Sequence, residues 1–531
     1  MLPATKDGTR IAFITPNIHT TMSYPKHKPF ILLLIPVLLL FMMQGCKRPP
    51  HSDIGKLLND KSKNNIYKQL TDEGYTAAVK QILQSKKVAL TNPAVIKSFY
   101  ASEDYEPIFI RDHFVNGDLD TAVAILSRSS VHGLNPKLFH GDEMAALLTK
   151  LRDPKAIKTT DEAYQNIARL ELMMANALIN YANDMQFGVV NPHRIYQRYY
   201  TNTLRPDSTS MKKVFAAQDL KAYLDSIQPH SPQYMALQKA LTTGYTAPGM
   251  TQEETKRILL VNMERLRWKN KPAEPRYVQV NIPAFQLDVM DQGHSTLNMK
   301  VCVGEGRNKD FTKSLVRYDD TDMVDHPVRR ETPQLTSLIN EAQVNPIWNI
   351  PVSIASREII VEADKDPYYL SNKNINVYRD GKLVDDPEDI DWGDPKAAEE
   401  YSFKQQPGEQ NSLGKIKFLF PNKSSVYLHD TPAKNAFNYN KRDVSHGCVR
   451  LEKPLDLARA LFGDGEKYNL IEKYMGEDNA KTVDIALPKK VPVYITYVTC
   501  WADDAGALQF RPDVYGLDIV LYGNLQKRML I

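Results

Sequence analysis

The chain has little cysteine. Its 531 residues include only Cys46, Cys302, Cys448 and Cys500, far apart and with no C-x-x-C pair. That spacing excludes a zinc ribbon and a thioredoxin-type redox motif, and so few thiols cannot build a disulfide scaffold. Charge of one sign is lacking too: 67 basic residues stand against 63 acidic ones, a formal net charge of +4. A balance this even makes no electrostatic case for nucleic acid as a partner. The apolar, uncharged run Phe30 to Met43 is too short to span a bilayer comfortably. What is present is ordinary for a folded protein, with 42% hydrophobic and 24% charged residues. The length exceeds one compact core, so two or three domains are expected.

The N-terminal region carries targeting signals. Phe30 to Met43 follows Lys26, His27 and Lys28 and suits the apolar part of a signal peptide. It ends in Met42-Met43-Gln44-Gly45-Cys46, which resembles a bacterial lipoprotein processing site, with Gln44 where such sites usually hold a small or aliphatic residue. The resemblance implies a signal peptide over residues 1–46, lipidation of Cys46 and attachment to a membrane through that lipid. An uncleaved signal anchor is the alternative. Residues before Met22 look unlike the start of a signal peptide, so Met22 is the expected first residue.

Residues 47–245 read as predominantly helical. Asp161 to Met185 is the clearest helix, with Leu170, Met174, Ala177, Leu178 and Tyr181 along one face. Leu119 to Ser130 is a shorter amphipathic helix, and Pro229 and Pro232 introduce another over Gln233 to Leu241. No cluster of catalytic residue types occurs in this half, which is therefore read as a scaffold. Residues 246–275 hold a connecting helix, Thr251 to Trp268, with a charged face of Glu253, Glu254, Lys256, Arg257, Glu264 and Arg265.

From Tyr277 the texture changes to alternating strands: Tyr277 to Ile282, Phe285 to Val289 and Leu297 to Val301. Asp380-Gly381 is a two-residue hairpin signal. Asp364 to Ala398 is an acidic insertion, expected to be either a solvated loop or a lid (about 356–405) over a site. Strands resume at Lys415 to Phe420, Ser425 to His429 and Val493 to Val498, with a helix at Pro454 to Phe462. The expected fold class is α+β, a helical domain followed by a β-rich domain over 276–531.

One stretch concentrates chemistry. Val426 to Arg450 contains His429, His446, Cys448 and Arg450 within a hairpin-sized segment. A cysteine needs a neighbouring base or positive charge to become a nucleophile near neutral pH, and these residues supply both. Alternation places Tyr427 and His429 on one face of their strand, and Cys448 and Arg450 on one face of theirs. A strand pair would gather them around one pocket. The amides of Gly447 and Cys448 would then lie where an oxyanion hole is needed.

A distant His429 with Ser445-His446-Gly447-Cys448-Val449-Arg450 resembles the signature of L,D-transpeptidases with a YkuD-type catalytic domain. Asn262 to Trp268, Val280 to Phe285, Asn345 to Pro351 and Gln406 to Gly414 are similar to the large members with a scaffold domain. His132-Gly133-Leu134-Asn135-Pro136 and Phe187 to Pro192 are similar as well, so the resemblance covers most of the chain after Cys46. It implies Cys448 as nucleophile and His429 as its general base. His446, Gly447 and Ser445 would shape the oxyanion site, Arg450 would support the pocket or meet a substrate carboxylate, and Tyr427 would line it. The implied reaction is acyl transfer on peptidoglycan stem peptides: a donor tetrapeptide loses its terminal D-alanine to a thioester, and an acceptor amine resolves it into a 3→3 cross-link. Carbapenems act as substrate mimics in this family, and no cofactor is implied. The chain departs from the large members in two places. No room exists for a peptidoglycan-binding module between Leu241 and Thr251, and the charged stretch Gly304 to Arg330 is longer than usual.

Other readings remain open. The same thioester could be hydrolysed, making the protein an L,D-carboxypeptidase or endopeptidase, or it could attach envelope proteins to peptidoglycan. A metal site from His429, His446 and Cys448 is a different class of reading, and a silent wall-binding lipoprotein is a third. Cys302 and Cys500 are expected to be core thiols, with a disulfide between them as the alternative.

Overall fold

In a computed structural model of the chain, residues 54–529 are described, except 86, 271, 273, 307–323 and 478–480. The expected signal peptide, the expected start at Met22, the expected lipidation at Cys46 and most of the charged stretch 304–330 therefore fall on residues outside the described ones. Among the described residues no helix is long and apolar enough to cross a membrane.

The N-terminal part is built from helices, including α1 (Asp118–Ser127), α2 (Thr160–Phe187) and α3 (Pro232–Thr242). Thr159 starts α2 by accepting the Glu162 N–H at 3.2 Å, and Gly188 stops it at φ +76°. The expected apolar stripe of α2 is too narrow a description. Leu172, Met173, Ala175 and Ile179 are buried as well as Leu170, Met174 and Tyr181, because neighbouring helices surround α2. Glu171, fully buried on it, accepts bonds from the Tyr100 hydroxyl and from the Phe109 and Ile110 amides.

The connecting helix α4 (Gln252–Arg267) begins with a capping box, the Glu254 N–H donating to Thr251 Oγ1 and the Thr251 N–H to Glu254 Oε2. Its charged face is only partly solvated. Glu264 and Arg265 are buried, paired with Arg267 at 2.9 Å and Asp518 at 2.6 Å. Asn262 donates to Thr499, and Arg267 to the His132 carbonyl, so α4 is hydrogen-bonded to both the helical and the β-rich parts. Buried charges are tolerated because each has a partner, and removing one partner would cost about 3–5 kcal/mol.

The β-rich part contains β2 (Arg276–Asn281), β3 (Gln286–Asp291), β4 (His294–Gly304), β5 (Gln334–Val344), β10 (Ile416–Leu419), β11 (Leu428–His429), β13 (Val449–Leu451) and β14 (Val483–Thr496). They pair in the order β5-β10-β11-β13-β4-β3-β2-β14, and β14 pairs again with β5, so the sheet closes on itself. β1 (Tyr199–Tyr200), from the helical part, adds to β5, and β12 (Asp443–Ser445) pairs with β4. Helix α5 (Pro454–Phe462) packs on β14 and β4, and α6 (Leu517–Met529) packs against the connecting helix α4. A single apolar cluster runs from Ile54 through Trp268 to Leu525, so both parts share one core.

The acidic insertion is folded, which corrects the solvated-loop reading. β6 (Trp348–Ile350), β7 (Ile375–Arg379), β8 (Lys382–Leu383) and β9 (Tyr401–Gln405) form a separate sheet in the order β6-β9-β7-β8. Its own core includes Ile350, Ile359, Leu370, Val377, Trp392 and Phe403. Asp380 and Gly381 make the expected hairpin turn, with φ of +51° and +77° as a type I′ turn requires. The acidic residues coat this unit while scattered apolar ones fill it.

Candidate functional site

β11 and β13 place the central residues side by side. Leu428 pairs with Val449 and His429 with Arg450, in parallel register. The hairpin expectation is therefore corrected: parallel neighbours need a crossover, and the chain between them passes through β12 on β4. Residues 424–427 are not strand either. Asn422 Oδ1 accepts the Ser424 and Val426 amides and Ser425 has φ +52°, so the chain turns tightly before entering β11.

Val449 and Leu428 are buried behind, while Tyr427, His429, Cys448 and Arg450 line a cleft of about 540 Å³. Ser445 and His446 line it as well. One wall comes from the folded insertion, through Ile354, Arg357, Glu358, Ile359 and Tyr369. Glu358 lies in a π-helical turn, Ala355–Ile359.

The cysteine loop is held from several directions. Ser445 Oγ donates to the Cys448 carbonyl at 2.6 Å and accepts the Gly447 N–H at 3.1 Å. Thr332 Oγ1 donates to the Gly447 carbonyl at 2.8 Å and accepts the Gly304 N–H at 2.7 Å. Tyr515 donates its hydroxyl to the Gly304 carbonyl at 2.6 Å. Gly447 has φ +117°, a conformation that a side chain would strain.

His429 is oriented by its neighbour. Its Nδ1 faces the Asp430 carbonyl, which can only accept, so Nδ1 carries the proton and Nε2 keeps its lone pair. The Asp430 carboxylate fixes that backbone by accepting the Lys415 N–H at 2.9 Å and Lys434 Nζ at 2.6 Å. A side chain at Gly414, where φ is +60°, would collide with Asp430. Burial, aided by the charge of Arg450, lowers the His429 pKa to about 4, against the backbone bonds that favour the charged form. Burial raises the Cys448 thiol to about 11, although hydrogen bonding to Tyr427 and the charges of Arg450 and Lys417 pull it down. Cys448 and His429 are thus a neutral thiol and a neutral imidazole near pH 7, not an ion pair.

His446, expected to shape the oxyanion site, is held by a residue of the insertion. Its Nε2 meets Glu358 Oε1 at 2.7 Å, and Arg330 NH2 meets the same oxygen at 2.7 Å. Glu358, Asp430 and Thr332 were missed in the sequence because no motif contains them. For Asp430 alone a signal existed, its place next to His429. Cys302 and Cys500 are free and buried, so the disulfide alternative does not hold. Among the described residues no group of three His, Cys, Asp or Glu side chains is placed to hold a metal ion.

Residues 94–241 match the model of the Scaffold domain, and residues 275–465 match that of the YkuD L,D-transpeptidase catalytic domain. The chain therefore carries a helical scaffold domain followed by a β-rich L,D-transpeptidase catalytic domain. It is similar to a Haemophilus influenzae protein named "Putative L,D-transpeptidase", with 27% identity over 325 residues. The match covers 61% of this chain and 61% of that relative's length.

Proposed function

We propose that the protein is a peptidoglycan L,D-transpeptidase that forms 3→3 cross-links through a thioester on Cys448, working in the cell envelope. The observation that carries this is that Cys448 and His429 line one cleft of the L,D-transpeptidase domain, with His429 Nδ1 facing the Asp430 carbonyl so that Nε2 keeps its lone pair. In this reading Cys448 Sγ attacks the carbonyl of the third residue of a donor tetrapeptide while His429 Nε2 takes the thiol proton. The amides of Gly447 and Cys448 receive the oxyanion, the Gly447 N–H being turned from Ser445 Oγ toward it. The imidazolium then gives its proton to the departing D-alanine nitrogen as the C–N bond breaks, leaving a thioester. An acceptor amine attacks that thioester, His429 takes the amine proton, and the proton returns to the leaving sulfur.

The insertion acts as a lid, and the scaffold domain supports the catalytic domain and contributes to wall anchoring. Lipidation of Cys46 would tether the protein to a membrane. Incubation with purified disaccharide-tetrapeptide and mass analysis of the products tests the reaction. A 3→3 dimer is the expected product, whereas a tripeptide monomer alone would make the enzyme a hydrolase.

Two further results are expected. Because His429 must be neutral to act and its pKa lies at about 4, acylation by a carbapenem should hold its rate as pH falls from 8 to 5 and decline only near 4. A decline centred near 6.5, measured by intact-protein mass spectrometry, would contradict this. Glu358→Ala frees His446, leaves Arg330 held by Glu305 alone, and should slow acylation roughly tenfold by loosening the cysteine loop. The melting temperature should hardly move, since partly exposed ion pairs contribute only about 0–1 kcal/mol. An unchanged acylation rate would remove Glu358 from the positioning network.

A further inference from the structure

The cleft has an uneven charge. Arg198, Arg329, Arg330, Arg357 and Arg450 line it, and Glu358 is its single carboxylate among the described residues. Glu358 is already shared by Arg330 and His446, and Arg198 donates to the Val328 and Arg329 carbonyls. Arg329 and Arg357 are exposed and have no acidic partner among the described residues. Elsewhere on the surface Arg111, Arg152 and Arg379 each hold a carboxylate at 2.6 to 2.7 Å. The insertion that carries Arg357 is rich in Asp and Glu, so the lack of a partner is not for want of acids nearby in sequence. Like charges gathered at a partly enclosed cleft repel one another and focus a positive field into it. A guanidinium fork matches a carboxylate in two parallel hydrogen bonds.

We infer that Arg329 and Arg357 form a carboxylate subsite that selects acyl donors bearing carboxylates besides the terminal one. The inference rests on the donor reading above. In that reading the terminal carboxylate lies one residue beyond the attacked carbonyl, beside Cys448, where the charge of Arg450 is felt. Arg329 and Arg357 belong to other elements, the segment before β5 and the π-helical turn. They are left for carboxylates further back along the donor, at its second and third residues.

The test uses the full chain with Cys448→Ala, so that binding is separated from chemistry, and titration calorimetry with disaccharide-tetrapeptide. One donor carries free carboxylates at the second and third residues and the other has both amidated. Amidation should weaken binding tenfold or more. Arg329→Gln with Arg357→Gln should weaken the free donor similarly and leave the amidated one unchanged. Equal affinity for both donors, or arginine losses that add to the loss from amidation, would overturn the subsite. The same arginine variants with Cys448 intact are then assayed for adduct formation. Binding that depends on the arginines without any adduct keeps the subsite and rejects the transpeptidase reading. Adduct formation indifferent to amidation and to both arginines rejects the subsite and keeps the reaction. A donor that does not bind at all rejects both.

Discussion

Cys448→Ala is expected to abolish turnover of stem peptides and covalent capture of a carbapenem together. Among the described residues Cys448 is the only thiol open to a substrate. It lines the cleft, whereas Cys302 and Cys500 are buried and burial raises the pKa of both. Acylation of the native chain should therefore add one mass increment, and the variant should add none. A carbapenem adduct on the alanine variant, seen by intact-protein mass spectrometry, would overturn the assignment of the nucleophile.

His429→Ala should lower the acylation rate by about 10²–10⁴ at neutral pH, the usual contribution of a positioned general base. With the thiol held up at about 11, very little thiolate exists near pH 7 without a base to take the proton as attack proceeds. The sign of the pH dependence follows. As pH rises toward 11 the thiol ionises unaided, so the deficit of the variant should shrink with each unit. A deficit that stays constant from pH 7 to 10 would mean that His429 acts by shaping the pocket and not by accepting the proton. Stopped-time mass measurements of the carbapenem adduct across that range decide between the two.

The contrast between what the sequence disclosed and what it hid has a physical basis. His429, Cys448 and Arg450 were legible because their chemistry and spacing fall within one short stretch. Alternation along a strand set Arg450 on the cleft side with Val449 behind it, while Cys448, expected on the same strand, lies in the loop just before β13 and lines the cleft from there. The direction of pairing was not legible, because alternation is the same in parallel and antiparallel strands. Nor was the core of the insertion, whose Ile359, Leu370, Trp392 and Phe403 follow no single period across short strands and turns. Its abundant Asp and Glu are the visible part, and they only coat the surface. Glu358 was hidden for another reason. It lies 88 residues from His446, and only the folded insertion brings the two together. The buried pairs Glu264–Arg267 and Arg265–Asp518 show the same limit, since charged residues on a helix read as solvated until their partners are known.

The closed sheet sets the order of events during synthesis. β5 cannot complete its pairing until β14 exists, and Gln343 waits for Asp484, 141 residues later, to bond across that seam. Contacts of such long range form slowly and late. β14 also pairs with β2, and α6 is bonded through Asp518 to Arg265 on the connecting helix. A nascent chain that has already made Cys448 still lacks the strand that closes its sheet. The thiol is therefore synthesised well before the structure that aligns it can be completed, so reactivity arrives with the finished fold and not with the cysteine itself.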